Sequence, residues 1–364
     1  MPTPPENRSD APYRFLAYEV SYFSAKVRPA LRYKGLWVDE RRADLREILK
    51  RTGYAFIPVV ITPAGETWQD STDIVRRLEE RHPEPPLFPP GGLQRTAAHL
   101  AELYNDEFGL IPAMHYRWGS ELGESSSRAR FSAMTGSVEL GNRAADRMVQ
   151  ARFLVGASVE AASAIEDHTR ELLAALGRHF EAHPYLLGAR QSFGDCALMG
   201  LFDGHLFTDL VSRRLLLETA VPVVSWIERC RYPNADLQGE WLARDEIAPT
   251  AVEALGVMGR DAAPLLIEVL RGIEEWADSR PAEPTEPPRA VGTLRTSLRG
   301  CPVERALMPY TLYSVQQVQD FYRPLDAAQR ARIDAALAGT GWPDVLAYEP
   351  RHRLRRDGFQ LVFE

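Results

Sequence analysis

YEVSYFSAKVRPALRYKGL, residues 18–36, joins an apolar segment rich in aromatic residues to a segment with helical spacing. Hydroxyl side chains, Ser21, Tyr22 and Ser24, stand at the junction, where a plain turn would favour Gly, Asn or Asp. The first turn of a helix has free backbone N–H groups that hold anions. The pattern therefore predicts a strand followed by a helix, with an anion or thiolate site at the helix start.

Alternation of short strands and helices continues on both sides of this junction. The segments in order are a strand YRFLAYEV, the helix SAKVRPALRYKGL, a short helix LREILKRTG, a strand AFIPVVIT, a turn AGETWQD into another short strand, and a helix STDIVRRLEERHP. Asp70 and Ser71 mark the start of the last helix. The order βα(α)ββα implies one parallel strand pair and one antiparallel hairpin.

The remainder of the chain divides at two proline-rich stretches. Residues 84–92 and about 281–288 read as linkers, because proline fixes φ and removes a backbone donor. We expect a helical domain over residues 93–245, interrupted by a loop at about 125–137. Residues 246–364 form an extension with one long helix and an α+β tail, whose segments TLRTSLRG, ERALMPYTLY and DGFQLVFE have strand character around a helix LDAAQRARIDAALAGTG.

Composition excludes several classes of function. The chain has 364 residues, 45% of them hydrophobic, and a net charge of −7, which does not supply the basic surface of a nucleic-acid-binding protein. Cys196, Cys230 and Cys301 are distant and odd in number, which favours a reducing, cytoplasmic compartment. Residues 1–12 read as a disordered leader, and no apolar run is long enough for a membrane span, so we expect no membrane partner. Lysine occurs only at positions 26, 34 and 50; arginine carries the remaining positive charge, which suggests a GC-rich, bacterial genome.

Several motifs in order carry a family resemblance. They are the strand and SYFSAKVRPAL helix, Ile-Pro before a strand, Asp-Ser at a helix start, HPYLLGARQSFGDCALMG with a capping box at Ser192 and Asp195, and VPVVSWIERCRYP. Over residues 13–235 the chain resembles the serine-type cytosolic glutathione transferases, within a long bacterial subgroup that has an extra C-terminal region. The resemblance implies an α/β plus all-α fold: a thioredoxin-like domain over residues 13–83, the helical domain, and a small α+β extension at 246–364.

The resemblance also implies a glutathione site. Ser21 falls where the family holds the hydroxyl that stabilises the glutathione thiolate; its structural alternative is a helix N-cap, with Ser24 and Tyr22 as other hydroxyls. We expect Ser24 to be the helix cap. Ile57 and Pro58 match the cis-proline that offers backbone to the cysteinyl part of glutathione, and a strand-edge proline is the alternative reading.

The ends of glutathione need charged partners. The resemblance gives Asp70 to the γ-glutamyl ammonium and Ser71 to its carboxylate, and the same pair is also a good helix cap. Lys50 or Arg51 are candidates for the glycyl carboxylate, unless they are simply solvated charges.

The pocket for the second substrate is predicted on the first helix of the helical domain. Tyr104, Phe108 and His115 share a face at offsets of 4 and 11. Tyr22 either packs or lines the same pocket. A lone helical histidine is more often a packing residue, which is the alternative for His115.

The function that these residues predict is that of a glutathione-dependent transferase, isomerase or lyase acting on a small apolar electrophile. The histidines have no metal-ligand spacing, so we expect no metal. The resemblance implies a homodimer. A non-catalytic scaffold and an enzyme of another low-molecular-weight thiol are the alternatives.

Overall fold

The computed structural model describes residues 11–279 and 285–364, so residues 1–10 of the predicted leader and part of the second linker lie outside the described residues. The N-terminal region runs βαβαββα, with elements β1 (Tyr13–Ala17), α1 (Tyr22–Tyr33), β2 (Val38–Arg42), α2 (Leu45–Thr52), β3 (Val59–Ile61), β4 (Thr67–Gln69) and α3 (Ser71–Arg81). The strands form one sheet in the order β2-β1-β3-β4. β1 and β2 are parallel, and β3 pairs antiparallel with both β1 and β4. The predicted thioredoxin-like arrangement is confirmed.

Strand β2 is absent from the sequence prediction, although it supplies the parallel partner of β1. Its sequence is VDERR, and its side chains are half-buried or exposed. An edge strand can carry charged residues because one side of it faces water. The usual apolar signal of a buried parallel strand is therefore missing here.

The helical region follows residues 83–91, which contain no helix or strand. Its helices are α4 (Gly92–Leu103), α5 (Leu110–Trp118), α6 (Glu121–Thr135), α7 (Val138–Leu154), α8 (Ala162–Ala182), α9 (Phe193–Leu201), α10 (Leu210–Thr219) and α11 (Val221–Arg231), with π-helical segments at Tyr104–Phe108 and Phe202–Leu206. The predicted capping box is present at the start of α9, where Ser192 and Asp195 satisfy each other's backbone N–H groups.

The expected loop at residues 125–137 is wrong. Helix α6 covers most of that stretch: Ser120 caps its N-terminus by accepting from Gly123 N, and Gly136 ends it with φ of 70°. The serine-rich sequence SSSRARFSAMT suggested a loop. A good cap and a glycine stop, together with packing on α7, outweigh the weak helix propensity of serine.

The extension adds α12 (Pro249–Asp278), β5 (Thr293–Leu298), β6 (Cys301–Ala306), α13 (Pro309–Tyr322), α14 (Ala327–Ala336), α15 (Trp342–Ala347), β7 (Leu354–Asp357) and β8 (Gln360–Phe363). Two antiparallel hairpins, β5-β6 and β7-β8, account for the predicted strand character. The segment ERALMPYTLY is strand only as far as Ala306. Its second half is the start of α13, with Pro309 in the first turn, where a missing N–H costs nothing.

The extension shares the main hydrophobic core with the rest of the chain. Helix α12 packs on α8, and α13 packs on α4. Leu307, Leu312 and Val315 are buried in the same cluster as Leu93 and Ala97 of α4. Within the described residues, no helix is both long and apolar enough to traverse a bilayer.

Candidate thiol-binding site

Ser21 is the residue that joins β1 to α1. It is the N-cap of α1, and its Oγ accepts a hydrogen bond from Ser24 N at 3.2 Å. The side chain is half-buried, and its hydroxyl proton is not used in that bond. An acceptor bond from the helix fixes Oγ at the positive end of α1, where the hydroxyl proton can be donated to an anion.

The expectation that Ser24 caps α1 is wrong. Ser24 lies inside the helix, is 0% exposed, and its Oγ has no hydrogen-bond partner. The cap is one turn earlier because Ser21, with φ −83° and ψ 125°, still has extended backbone, which is the geometry of an N-cap.

The Ile57–Pro58 peptide is cis, at the start of β3. Pro58 is buried and Ile57 is half-buried. Both glycyl-carboxylate candidates, Lys50 and Arg51, are exposed near the end of α2. Arg51 donates to Glu47 Oε1 at 3.0 Å, so its charge is already partly balanced.

Asp70 and Ser71 stand at the start of α3. Asp70 is the N-cap, with a left-handed φ of 83°, and its Oδ1 accepts from the backbone N–H groups of Thr72 and Asp73. Ser71 is 6% exposed. Asp70 and Ser71 therefore form the start of α3, as predicted both by the resemblance and by the alternative that they are a helix cap.

The second oxygen of Asp70 binds two side chains of the extension. Tyr310 donates its hydroxyl to Asp70 Oδ2 at 2.5 Å, and Arg356 Nη2 donates to the same oxygen at 2.6 Å. Arg356 Nε also forms an ion pair with Asp73 Oδ2 at 2.5 Å, although the geometry of this contact is not that of a hydrogen bond. We name Asp70, Tyr310 and Arg356 the Asp70 cluster.

The electrostatics of the Asp70 cluster follow from burial. Burial, and then the neighbouring Asp70 charge, raises the pKa of Tyr310 well above its usual value, so the phenol stays a donor. The Asp73 pKa is raised by burial and by Asp70, while Arg356 opposes that rise. Together with the adjacent Asp73, the cluster places two carboxylates against one guanidinium.

A second contact fastens the extension beside the same helices. Glu107, in the π-helical segment after α4, is 3% exposed. Its carboxylate accepts from Arg305 at 3.2 Å, from Thr311 at 2.6 Å and from Ser314 at 2.8 Å. Strand β6 and helix α13 are thereby held against the helical region.

The predicted pocket residues Tyr22, Tyr104 and Phe108 are in the core, with exposures of 6%, 0% and 1%. Tyr22 donates its hydroxyl to the backbone oxygen of Asn105 at 2.7 Å. Tyr104 bonds His168 Nε2 at 2.7 Å, and Phe108 packs on the same ring. The structure therefore gives all three an internal packing role.

His115 does not join Tyr104 and Phe108. Its Nε2 lies 3.3 Å from Glu166 Oε1, and burial lowers its pKa. The predicted shared face assumed a regular helix, but the π-helical segment Tyr104–Phe108 inserts an extra residue into the turn. That insertion rotates the residues after it relative to those before it.

Sequence reasoning missed the contributions of Tyr310, Arg356 and Arg305. Each lies about two hundred residues or more along the chain from its partner, and the sequence contains no periodic or motif signal that links them. Among the described residues, no three His, Cys, Asp or Glu side chains lie in a group that could hold a metal ion.

Comparison with known proteins identifies the N-terminal region. Residues 15–86 match the family model described as "Glutathione S-transferase, N-terminal domain". A search of curated proteins finds no significant match.

Solved structures provide only distant similarities. A glutathione S-transferase from Rhodospirillum rubrum F11 is 16% identical, with a TM-score of 0.43, covering 66% of this chain and 99% of that one. One from Methylobacterium radiotolerans, in complex with glutathione sulfonate, is 21% identical, with a TM-score of 0.38 and coverages of 65% and 99%. FzlA from C. crescentus is 16% identical, with a TM-score of 0.41 and coverages of 66% and 98%. The family model, and not these distant structures, is what identifies the region.

Proposed function

The chain carries a glutathione S-transferase N-terminal domain over residues 15–86, and on that premise we propose that it is a thiol-dependent transferase, isomerase or lyase. In this proposal Ser21 donates a hydrogen bond to a bound thiolate, which then attacks a small apolar electrophile. Glutathione is the thiol that the family domain suggests. Pro58 and the start of α3 border its binding site.

The observation that carries this proposal is the geometry of Ser21. Its Oγ is held at the N-terminus of α1 by the Ser24 N–H, and its own proton remains available. A donor at the positive end of a helix favours the anionic form of a thiol and lowers the thiol pKa from about 8.5 toward neutrality. The thiolate is the nucleophilic form, so this shift produces a reactive ligand at neutral pH.

The test is a titration of bound glutathione, followed by the ultraviolet absorbance of the thiolate. Ser21→Ala should raise the pKa of the bound thiol by about one to two units, because each unit corresponds to about 1.4 kcal/mol of lost thiolate stabilisation. Binding of the neutral thiol should stay close to that of the parent. The measurement requires no knowledge of the electrophile.

Two further variants separate catalysis from capping. Ser21→Asp keeps a good N-cap acceptor but has no proton to donate at neutral pH and repels a thiolate, so it should fold like the parent and lose the depressed thiol pKa. Ser24→Ala should leave the titration unchanged. A parent-like titration in Ser21→Ala would assign the role to another group.

A non-catalytic binding protein is the second candidate, and the Asp70 cluster favours it. Asp70 Oδ2 is already bound by two side chains of the chain itself. If neither glutathione nor an analogue of it without the ammonium group binds the parent or any variant, and no thiol pKa is depressed, the scaffold function replaces the enzyme.

A homodimer is part of the same proposal. Trp37, Leu45, Leu49 and Phe56 of the N-terminal region are each 40–51% exposed, and an interface would cover such apolar side chains. Sedimentation at micromolar concentration should give twice the chain mass, and a monomeric mass would contradict the dimer. Cytoplasmic location stays a prediction.

A further inference from the structure

We infer that Tyr310 and Arg356 of the extension set the thiol specificity of this site: the thiol that it binds is not held through an ammonium group at Asp70. The inference rests on the proposed function and deepens it, because it names the ligand class. The ligand is a small thiol that lacks a free ammonium at the end facing α3, or that leaves such a group in water.

The Asp70 carboxylate is saturated by the chain itself. Oδ1 accepts two backbone N–H groups of α3, and Oδ2 accepts the phenol of Tyr310 and the guanidinium of Arg356. A ligand ammonium could bind only by displacing these donors. The exchange would replace one cation with another and leave the Tyr310 hydroxyl without its acceptor, so it brings no net gain.

The extension is too firmly fixed to lift away when a ligand arrives. Glu107 binds three of its side chains, and Leu307, Leu312, Val315 and Val318 are buried in the common core. Each such apolar side chain that becomes exposed lowers the equilibrium constant for detaching the extension by about tenfold or more. A ligand favours the open state by a factor of 1 + [L]/Kd, so one of millimolar affinity at about 10 mM contributes only about tenfold, and four such exposures outweigh it.

The charge around the cluster gives an ammonium no net attraction. A cavity of about 620 Å³ runs along α3 beside Arg356, and the charged side chains that line it are Arg76, Arg77, Arg81, Arg356, Glu66, Asp73 and Glu80. With Asp70, which lies 2.6 Å from Arg356, the carboxylates number four and match the four arginines. The space therefore offers an ammonium no excess of negative charge once the Asp70 oxygens are occupied.

The experiment compares two thiols by calorimetry on the full chain: glutathione and its deamino analogue, glutaryl-cysteinylglycine, in which hydrogen replaces the ammonium. The parent should bind the two with affinities within about threefold, because Asp70 is not available to the ammonium. The double variant Tyr310→Phe/Arg356→Met releases Asp70 Oδ2. It should then bind glutathione at least tenfold more tightly than the analogue, as expected for a charge-assisted hydrogen bond.

Matched variants separate this effect from a general loss of structure. Tyr310→Phe alone removes one hydroxyl and keeps the ring, so it tests the same contact even if the double variant folds poorly, and it should shift the preference toward glutathione. Arg353→Met removes another arginine of the extension, one that pairs with Asp320 at 2.8 Å, and should leave the preference as in the parent.

Two results would overturn the inference alone. One is a parent that already prefers glutathione tenfold or more, which would mean that its ammonium reaches Asp70. The other is a double variant, folded and binding, that gains no preference. If neither thiol binds the parent or any variant, the proposed function fails, and the inference fails with it.

Discussion

The ammonium group of Lys26 lies 2.6 Å from Asp106 Oδ2 and 2.8 Å from Glu102 Oε1. The lysine is 1% exposed, and it also donates to Thr72 Oγ1 at 2.9 Å. Because α1, α3 and α4 each contribute to this group, the N-terminal and helical regions are joined by buried charges. The lysine and the two carboxylates compensate each other's desolvation, while burial, and then repulsion by the Glu102 charge, raise the pKa of Asp106.

Removal of this lysine should be strongly destabilising. Lys26→Met leaves two buried carboxylates without a cation, and we expect a loss of about 3 to 5 kcal/mol in the free energy of unfolding, measured with urea. Arg28→Met is the control, because its pair with Glu40 is at the surface and is worth about 1 kcal/mol or less. Equal losses in the two variants would contradict a special role for the buried group.

The features that the sequence could predict are local ones, formed by residues close together in the chain. Asp70 caps the helix that follows it, and the Ser192–Asp195 box begins α9, because a cap involves residues only a few positions apart. For α1 the expected cap was Ser24, and the cap lies one turn earlier at Ser21. Lysine is rare in this chain, but nothing in the sequence indicates which carboxylates Lys26 pairs with.

Contacts distant in the chain could not be predicted. Nothing near Arg356 indicates that its guanidinium reaches Asp70, and the same holds for Arg305 and Glu107. The π-helical turn at Tyr104–Phe108 is also hidden, because helical periodicity assumes a constant rotation per residue. The sequence therefore predicted the site without the side chains of the extension that bind Asp70.

The ion pair between Glu107 and Arg305 should be a second stability determinant. Both side chains are nearly inaccessible, at 4% and 1% exposure. Arg305→Met leaves a buried carboxylate whose remaining donors are neutral, and we expect a loss of about 3 to 5 kcal/mol in unfolding free energy.

A charge-matched double variant tests the cause of that loss. Glu107→Gln/Arg305→Met removes both charges, so it should recover at least about 1 kcal/mol relative to Arg305→Met alone. Arg295→Met is the surface control, since Arg295 is 91% exposed in its pair with Glu304. A double variant less stable than Arg305→Met would show that the charge is not what destabilises the single variant.

The buried hydroxyl of Ser24, which has no hydrogen-bond partner, should slightly lower the stability of the fold. Ser24→Ala removes a buried polar group that bonds nothing and raises helix propensity, so we expect a gain of about 0.5 to 1 kcal/mol in thermal or urea unfolding. Ser21→Ala, three residues earlier, should lose about 1 kcal/mol because it removes the cap. We expect the two substitutions to change the unfolding free energy in opposite directions. A loss of stability in both variants would mean that the Ser24 hydroxyl has a partner.

His179 should make stability depend on pH. It lies near the end of α8, its Nδ1 is 2.9 Å from Thr250 Oγ1, and its Nε2 is 3.1 Å from the backbone oxygen of Tyr185. Burial lowers the pKa of His179 to about 4, because the uncharged ring is favoured away from water. In the unfolded chain the same group titrates near 6.5.

The direction in which stability changes with pH follows from how many protons the folded and unfolded states bind. Between about pH 6.5 and 4 the unfolded state holds the proton and the folded state does not, so the stabilising effect of the neutral ring is complete above pH 6.5 and is lost as the pH falls toward 4. The loss is on the order of 3 kcal/mol at the acid end. His179→Gln has no titrating ring, and its amide can still donate to the Tyr185 oxygen. Urea unfolding of both proteins across this range should show the parent losing stability relative to the variant as the pH is lowered, and a constant difference at every pH would mean that His179 does not titrate in this window.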